Sequence, residues 1–453
     1  MQIYSFMSRW ALLLLLVLPI TTQGQGQDGF YGKLSAAGIA NREDGNPFWI
    51  YANQYGRLDK ETSLWGLAET GYRTQLNADN SLQITAGILA GNGQENNVFI
   101  DQLYARYVYK NLRVDVGAWH RETPLQNLSA VGGDILWSGN ARALPGAEIQ
   151  FLKGAHIFDW LTFKGKLGHY LLSKDRYVNN AQVHYKNLQL QIRFSQRDKL
   201  SLQLSHYAQF GGTSPSFGKQ PSGFSDYLKI FIGGNGGERA TDSDQANALG
   251  NHLGSYNITY NMQRSDFELQ LYHQTIFEDT SGRELRNFPD GVWGVFFQPK
   301  KPTFFNALLY EFVQTVSQSG KFVPPPNGNF RGGDNYFGNS FYQSGWSYKS
   351  SIIGLPFIIP ESDGRGIKIN RSFVHHLGVA GSLQAINYSL KASFVRNLGT
   401  YTEPIKPREN AFYSYLGLDY PTASGTFKAQ LAADFSDQKN KLFGLGLGYS
   451  IDF

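Results

Sequence analysis

Apolar and polar residues alternate along the C-terminal segment "KLFGLGLGYSIDF" (441–453). Every second position is apolar: Phe443, Leu445, Leu447, Tyr449, Ile451 and Phe453. The positions between them carry glycine, serine or aspartate, and successive side chains of a strand point to opposite faces. The segment has about the 9–11 residues that a tilted strand needs to cross the hydrocarbon of a membrane. The pattern therefore predicts a transmembrane β-strand with one apolar face.

The same period of two recurs along most of the chain. It is clear in "LQLQIRFS" (188–195), "LSLQLSHYAQF" (200–210) and "TFKAQLAADF" (426–435). About 18 such segments predict an all-β fold, a single large antiparallel outer-membrane β-barrel of about 18 strands. The strands of a soluble β-sandwich would also alternate between apolar and polar residues. However, "PFWIYANQYGR" (47–57) and "SLWGLAETGYR" (63–73) place Trp and Tyr near strand ends, which is typical of the aromatic girdles of membrane barrels.

The connections between these segments differ in length. "SQRDKLS" (195–201) and "NMQRSDFE" (261–268) are short turns, whereas 211–251, 279–303 and 317–375 are long and rich in Gly, Pro, Asn and Ser. In outer-membrane barrels the short turns face the periplasm and the long loops face outward. We therefore expect the three long connections at the cell surface.

The first residues predict export. Arg9 precedes a short apolar run that ends at Pro19, and small or polar residues follow. The run is shorter than the roughly 18 residues of a membrane helix, which favours a secretory signal peptide (1–24, cleaved near 24–26) over an anchor helix. The remaining residues, 25–453, are expected to form one barrel domain in the cell outer membrane.

The chain ends on an aromatic residue. Tyr449, Ile451 and the terminal Phe453 resemble the signal that barrel-insertion machinery reads at the end of such chains. We expect this machinery as a partner during biogenesis and outer-membrane lipid around the folded barrel. The chain has no cysteine, so it has no disulfide and no lipid-anchored N-terminal cysteine.

Composition narrows the range of partners. The formal net charge is +5, and Lys and Arg do not cluster beyond Lys300–Lys301, which argues against nucleic acid. Mean hydropathy is low, at −0.34, although aromatic residues make up 15% of the chain. Alternating strands explain both values. The strongest later apolar run, "SIIGLPFIIP" (351–360), is short and broken by proline, so no membrane helix is predicted.

The sequence carries no recognisable catalytic or metal-binding motif. None of its nine histidines has a metal-ligand spacing, and the neighbours His375 and His376 point to opposite faces of a strand. There is no G-x-S-x-G elbow and no P-loop. We therefore expect no enzyme activity, no cofactor and no metal. Because outer-membrane lipases assemble a Ser–His pair across neighbouring strands, a hydrolase stays as a third alternative.

A polar and aromatic segment, "GGDNYFGNSFYQSGWSYKSSIIGLP" (332–356), lies in the last long connection. Amide and carboxylate groups exchange hydrogen bonds with sugar hydroxyls, and aromatic rings cover the apolar face of a sugar. The candidate polysaccharide-binding residues are Asp334, Asn335, Tyr336, Asn339, Tyr342, Gln343 and Trp346. The alternative is that these residues pack the loop into the mouth of the barrel.

A second cluster lies in "WSGNARALPG" (137–146). Trp137, Asn140 and Arg142 precede a Pro-Gly break, and Glu148 follows it. We expect these residues either to line the lumen or to seal it. Arg142 and Glu148 are candidates for a buried ion pair inside a polar barrel.

Several segments together resemble the Wzi-type capsule assembly outer-membrane proteins. The run of Asn and Tyr followed by "YQSGW" and "IGLP" is the most specific of them. In chain order the segments are "PFWIYANQYGR", "SGNARALPGAEIQF", "AQVHYKNLQLQIRFS", "LSHYAQFGGTSPSFG", "ANALGNHLGSYNITY", "LLYEFVQTVSQSG" and "GGDNYFGNSFYQSGWSYKSSIIGLPF".

The resemblance implies a barrel of about 18 strands with an occluded lumen. It also implies a lectin-like role, in which the barrel binds or anchors capsular or extracellular polysaccharide at the cell surface. Enterobacterial members carry a helical segment between signal and barrel, for which strands from Tyr31 onward leave no room. A helical plug is therefore not expected, and an open lumen stays possible. The alternative function is a general or substrate-selective diffusion porin.

Overall fold

The structure is a computed structural model that describes residues 28–41, 44–237, 248–301, 304–320 and 333–453. One large sheet contains most of the described strands. The expected signal peptide and its cleavage region lie outside the described residues.

The strands are numbered in chain order. They are β1 Gly29–Asn41, β2 Leu64–Asn77, β3 Asn80–Gly91, β4 Val98–Tyr109, β5 Leu112–Ala118, β6 Pro145–Phe151, β7 Ala155–Phe158, β8 Leu161–Leu171, β9 Gln182–Arg193, β10 Asp198–Phe210, β11 Thr213–Ser214, β12 Gly218–Lys219, β13 Asn251–Gln263, β14 Phe267–Gln274, β15 Gly291–Pro299, β16 Ala307–Gln314, β17 Ser347–Tyr348, β18 Ser351–Ile352, β19 Ile359–Pro360, β20 Ile367–Ile369, β21 Ser372–Leu383, β22 Ile386–Gly399, β23 Pro404–Thr422, β24 Gly425–Ser436 and β25 Leu442–Asp452. Short helices occupy Phe48–Tyr51, Phe224–Ile232 and Thr280–Arg283, and Leu125–Asn127 is a 3-10 turn.

The main sheet closes on itself as an antiparallel barrel, which confirms the predicted fold class. Successive barrel strands pair along the chain, and β1 pairs with β25, with Lys33 opposite Asp452. The sheet contains 19 strand segments of the described chain. Because β6 and β7 both pair with β8, they form one interrupted strand, and the ring has 18 strands. Closure leaves no open sheet edge in the hydrocarbon.

The alternation of the sequence separates lipid-facing from lumen-facing side chains. In β25, Leu445 and Leu447 are 42% and 60% exposed on the outside of the ring. Gly444 precedes these two leucines and Gly446 lies between them, and both glycines are buried on the inside of the ring. A continuous belt of such exposed apolar side chains is stable only against hydrocarbon. The belt therefore marks the membrane-spanning height of the barrel.

Both ends of the barrel chain lie at one rim, because β1 starts where β25 ends. The turns at this rim are short, and the connections at the other rim are longer, so the longer ones face the cell exterior. The described residues of the predicted outer connections 211–251 and 317–375 join strands at that outer rim, although Ser372 already belongs to β21. The bounds 279–303 are wrong, because residues from Gly291 to Pro299 form β15 and only 275–290 belongs to the outer rim. This strand begins with glycine and ends with proline, two residues that are common in loops, which is why it was included in the predicted connection.

Three of the described outer connections fold back into the lumen. They comprise residues 44–63, 119–144 and 333–371 and are here called the plug. Their apolar side chains merge with inward-facing wall residues in one buried cluster, which reaches from Tyr170 in β8 to Ala411 in β23. The outer part of the lumen is therefore filled with packed protein.

Segment 47–57 corrects the girdle interpretation. It is not a strand end at a membrane interface, because Phe48–Tyr51 is a helical turn inside the barrel and Trp49 is 1% exposed. In the other predicted girdle segment, Trp65 packs against an interior cluster around Ile39. Tyr72 of the same segment is exposed near the end of β2 and contacts Phe30, as the girdle interpretation expects. An aromatic residue beside Gly and Asn indicates an interior contact as readily as an interfacial one, which is why composition did not separate the two.

Candidate functional site in the plug and the outer mouth of the barrel

The second and third plug segments lie side by side with direct backbone contacts. Ser138 N donates to Ile353 O (3.0 Å), and Leu355 N donates to Ile135 O (3.0 Å). Between these two bonds, a Cβ on Gly354 would lie 2.4 Å from the Ile135 carbonyl oxygen. Only glycine allows this approach, so this position sets the spacing of the two segments.

The first plug segment joins the second in the same way. Asn53 Nδ2 donates to Ala130 O (3.0 Å), and Tyr55 N donates to Gly139 O (2.5 Å). Gly56 has φ +61°, and a Cβ there would lie 2.7 Å from Arg142 N. The three plug segments are thus one hydrogen-bonded unit and not three separate loops.

An aromatic stack connects this unit to the far wall. The Phe48 ring lies between Phe357 of the third segment (5.0 Å) and Tyr413 of β23 (4.7 Å), with both pairs stacked. The neighbouring Trp49 donates from Nε1 to Ser393 Oγ of β22 (3.1 Å). Rings packed in this way bury large apolar area, which is why the helical turn stays inside the barrel.

Glu311 of β16 anchors the second segment. Its carboxylate accepts hydrogen bonds from Ser129 Oγ (2.6 Å) and Ala130 N (2.6 Å), and also from the Tyr272 hydroxyl. A fully buried carboxylate is tolerable only when its oxygens are satisfied in this manner. Glu311 therefore fixes the register of the plug against the wall.

Asp290 anchors the start of the third connection. It accepts from the backbone N–H groups of Val316 (3.0 Å), Ser317 (2.9 Å) and Gln318 (2.8 Å), and from the Tyr336 hydroxyl (2.9 Å). Burial raises the pKa of Asp290 above its usual range, although these donors oppose the shift. The residue ties the third segment to the outer rim.

Arg121 forms a third polar centre between plug and wall. Its guanidinium lies over the Trp137 ring, 3.8 Å from the centroid. It donates to Glu148 Oε2 (3.1 Å) and to the hydroxyls of Tyr170 (3.0 Å) and Tyr207 (3.1 Å). Sequence reasoning missed Arg121, Glu311 and Asp290. Their neighbours in the sequence do not reveal these contacts, because the partners lie far along the chain.

The four predicted lumen residues all lie inside the barrel. Trp137 and Glu148 contact Arg121, and Asn140 Nδ2 donates to Ile352 O (3.0 Å). Arg142 lies over the Phe99 ring (3.5 Å from the centroid). The suggested pair of Arg142 with Glu148 is wrong, because Glu148 pairs with Arg121 instead. These residues lie where the plug packs against the barrel wall, and whether they seal the lumen stays a prediction.

The aromatic members of the predicted polysaccharide site are buried. Tyr336, Tyr342 and Trp346 are at most 3% exposed. Their polar atoms are used internally, since Trp346 Nε1 donates to Leu136 O (2.5 Å) and the Tyr342 hydroxyl to Gly211 O (3.3 Å). Protein covers these rings as the packing alternative expects, and their contact with sugar stays a prediction.

The polar members of that predicted site are distributed differently. Asp334 is buried and accepts from Ser319 Oγ (2.8 Å), while Asn335 is exposed. Asn339 Oδ1 caps the following turn, and its Nδ2 donates to Asn251 Oδ1 (3.0 Å). Gln343 is partly exposed. Most of these groups hold the loop in place.

A partly exposed polar and aromatic surface lies at the outer side of the plug and is here called the mouth patch. It consists of Tyr177, Ser216, Phe217, Phe341 and Arg365, from three outer connections. Phe217 is 63% exposed and lies 5.5 Å from the Phe341 ring. The Tyr177 hydroxyl is 2.9 Å from Ser216 Oγ, and Arg365 lies over the Tyr177 ring at 5.4 Å. Sequence reasoning missed this patch because its members lie far apart in the chain.

One Ser–His contact bears on the hydrolase alternative. Ser393 Oγ is 2.7 Å from His376 Nδ1, and His376 Nε2 is 2.7 Å from Leu128 O. Both side chains are completely buried beneath the plug, and Ser393 also accepts from Trp49. No carboxylate orients this histidine in the described structure, and substrate has no access to it.

The last strand completes the ring. Phe453 N donates to Gly32 O (2.9 Å), and Gly32 N donates to Phe453 O (2.7 Å). Tyr449 and Ile451 lie on the outer face of β25, where Tyr449 contacts Phe427 at 4.7 Å. Recognition of these residues by insertion machinery stays a prediction.

Two negative observations apply to the residues that the structure describes. Within them, no group of three or more His, Cys, Asp or Glu side chains is arranged to hold a metal ion. No helix in the same ranges is long and apolar enough to cross a membrane.

Comparison with known proteins agrees with this geometry. The family described as capsule assembly protein Wzi matches residues 27–390, whereas the curated proteins contain no match. Among solved structures, Pseudomonas aeruginosa OccK3 (OpdO) is similar, with a TM-score of 0.51, 12% identity, and coverage of 94% of this chain and 95% of that one. A structure of Pseudomonas aeruginosa OpdO has a TM-score of 0.50, 11% identity, and coverage of 94% and 97%. These likenesses show the barrel fold alone. Because the family match spans most of the sequence, the chain belongs to the Wzi family of capsule assembly proteins.

Proposed function

We propose that this outer-membrane barrel binds capsular or extracellular polysaccharide at its outer mouth and so anchors capsule to the cell surface. Family membership supports a role in capsule assembly. The observation that carries the proposal is that three outer connections pack into the lumen as one buried cluster, with exposed polar and aromatic side chains at its outer side. Such a surface suits binding of a polymer outside the barrel.

The mouth patch has the chemistry of a sugar site. Phe217 and Phe341 present apolar rings that match the C–H faces of sugars. Arg365 and the hydroxyls of Tyr177 and Ser216 are hydrogen-bonding groups beside these rings. A single patch of this size binds weakly, but one long polymer that crosses many copies gains avidity.

The alternative, a diffusion porin, needs a continuous aqueous path. The plug argues against such a path because its three segments share backbone hydrogen bonds and a dry aromatic stack with the wall. Planar-bilayer recording of the purified barrel distinguishes the two functions. We expect no large steady conductance, and a large one would favour the porin.

A binding experiment tests the anchoring site. Purified wild-type barrel and the variant Tyr177→Ala/Phe217→Ala/Phe341→Ala are compared for binding of isolated capsular polysaccharide. We expect a loss of about tenfold or more, since each aromatic contact contributes about 0.5–1.5 kcal/mol. The variant Phe158→Ala/Phe304→Ala is the matched control, because it removes exposed rings near the opposite rim. Unchanged binding in the triple variant would exclude the mouth patch.

A second experiment tests the role in cells. Deletion of the gene is expected to leave polymer synthesis intact and to release capsule into the medium. Capsule that stays attached to the deletion strain would contradict the anchoring role. The variant Tyr342→Ala/Trp346→Ala is expected to lower binding as well, but both rings are buried, so assembly of the plug has to be measured in parallel.

A further inference from the structure

One of the described outer connections lies on the outside of the ring instead of in the lumen. Its helix, Phe224–Ile232, rests against the outer face of β10, where Ile230 packs on Ala208. Ala208 shares this face with Leu204, four residues earlier in the same strand, and Leu204 belongs to the lipid-facing belt. The helix is therefore placed beside lipid at the outer end of the strands.

The connection 275–290 also covers part of this outer face. Phe277 lies on Gly254 of β13, where a Cβ would be 2.0 Å from the ring. Phe288 packs edge-on against Trp293 of β15, with centroids 5.8 Å apart. The helix and this connection thus frame one sector of the outer wall.

An apolar groove of about 970 Å³ runs down this sector. Its floor includes Leu190, Leu202, Ile258, Leu271 and Val295 from five neighbouring barrel strands, and Phe288 lies at its outer end. The floor side chains continue the lipid-facing belt. Hydrocarbon is therefore the material that covers them in the membrane.

The outer end of the groove is basic. Arg283 lines it, is exposed, and donates to Thr280 Oγ1 (2.9 Å), but forms no ion pair with any residue in the described ranges. Lys186 of β9 lies opposite His206 of β10, which in turn lies opposite Gly254 of β13, and the Lys186 ammonium donates to the Phe231 carbonyl of the helix. The Arg283 carbonyl accepts from the hydroxyl of Tyr256 (3.4 Å), two residues further along β13. The two basic residues therefore belong to the same sector of the outer wall.

Among the residues that the structure describes, the carboxylates around this end are already engaged. Asp226 accepts from Gly223 N (3.0 Å) at the start of the helix, and Asp279 accepts from Ser281 N (2.7 Å). Glu284 pairs with Arg286. The positive charge of Arg283 and Lys186 is therefore available to an anion from outside.

The exposed face of the helix is apolar. Phe224, Leu228 and Ile232 are 80%, 50% and 77% exposed and lie at spacings of four residues, on one stripe. A helix with such a stripe lies in the boundary between headgroups and acyl chains. Its position sets the height of that boundary, and the basic end of the groove lies at the same height.

We propose that this sector binds a phosphorylated, multiply acylated glycolipid of the outer leaflet. The acyl chains lie in the groove, and a phosphate group lies between Arg283 and Lys186. The guanidinium fork suits bidentate contact with phosphate. A second copy of the chain fits less well, because a two-fold interface would bring the two basic ends against each other.

Native mass spectrometry of the full barrel in detergent tests this site with bis-phosphorylated lipid A as the probe. We expect one-to-one adducts that dephosphorylated lipid A and phosphatidylethanolamine form less well. The variant Lys186→Glu/Arg283→Glu is expected to weaken lipid A binding about tenfold or more, since each basic residue near a membrane surface contributes about 1 kcal/mol. Arg396→Glu is the matched control, because Arg396 is exposed near the outer end of β22.

A second pair of variants tests the groove without changing charge. Ile258→Trp/Val295→Trp fills the groove and is expected to weaken binding of every acylated probe, whereas Leu431→Trp in β24 leaves it unchanged. Equal lipid A binding by the wild type, the charge variant and the groove variant would overturn the proposal. So would a stable dimer that excludes lipid A.

Discussion

The Gly354 backbone lies so close to the Ile135 carbonyl oxygen that a Cβ would be 2.4 Å from it. The two residues are 219 positions apart in numbering and belong to different outer connections. Their contact lies between the two backbone hydrogen bonds that join the second and third plug segments. It makes the integrity of the plug sensitive to one added carbon.

Gly354→Val is expected to force the two segments apart and destabilise the plug by about 1–3 kcal/mol, the usual cost of overpacking. The barrel wall is not involved, so the variant should insert normally and show transient channel openings in planar bilayers. Gly38→Ala in β1 is the control, because the nearest atom to its added Cβ is 4.0 Å away. If Gly354→Val shows no channel openings and its amide hydrogens exchange as slowly as in the wild type, the two segments tolerate the added side chain.

Asp290→Ala is expected to loosen residues 315–320 and the third plug segment. The change leaves three backbone N–H groups and the Tyr336 hydroxyl without their acceptor. Buried donors that lose their partner cost about 1–3 kcal/mol each. Hydrogen exchange followed by mass spectrometry should show faster exchange in these peptides alone. Asp363→Ala in an exposed turn is the comparison, and equal exchange in the two variants would contradict the anchoring role.

The burial of Asp334 predicts that the stability of the folded protein depends on pH. Burial, together with the nearby Asp279 carboxylate, raises the pKa of Asp334 to about 7. The folded state therefore binds this proton more tightly than the unfolded state, so the stabilisation is present at low pH and is lost as pH rises from about 4 to 7. Asp334→Asn should remove this part of the dependence and raise the melting temperature above pH 7. Identical pH profiles for wild type and variant would contradict the assignment.

Arg121→Leu is expected to cost about 3–5 kcal/mol, because it leaves Glu148 buried without its cation. Arg121→Leu/Glu148→Leu removes both charges and should cost less than the single variant. Denaturant unfolding of the three proteins measures the difference. A double variant that is less stable than Arg121→Leu would contradict this, and would show that Glu148 stabilises the fold through its other partner, the Tyr170 hydroxyl (2.7 Å), even without Arg121.

The barrel wall was predictable because the pattern that specifies it involves residues that are adjacent in the sequence. Leu445 and Gly446 point to opposite faces by strand geometry alone, and lipid on one side imposes the same choice along every strand. Closure then follows from the number of strands and the need to pair every edge. The family resemblance depended on short segments whose residues are consecutive in the chain.

The plug and the mouth patch were not predictable, because they are formed by contacts between residues that are far apart in the sequence. Phe48 N donates to Asp434 Oδ2 (2.8 Å), 386 positions away. Phe217 meets Phe341 across two connections. A loop that lies on a surface and a loop that fills a lumen have similar compositions, since both need glycine and amides, and the aromatic rings suit sugar or protein equally.

The contact between Phe48 and β24 also constrains the order of assembly. The first plug segment rests on β22, β23 and β24, which lie at the other end of the chain, so its native contacts cannot form before these last strands have reached their places in the wall.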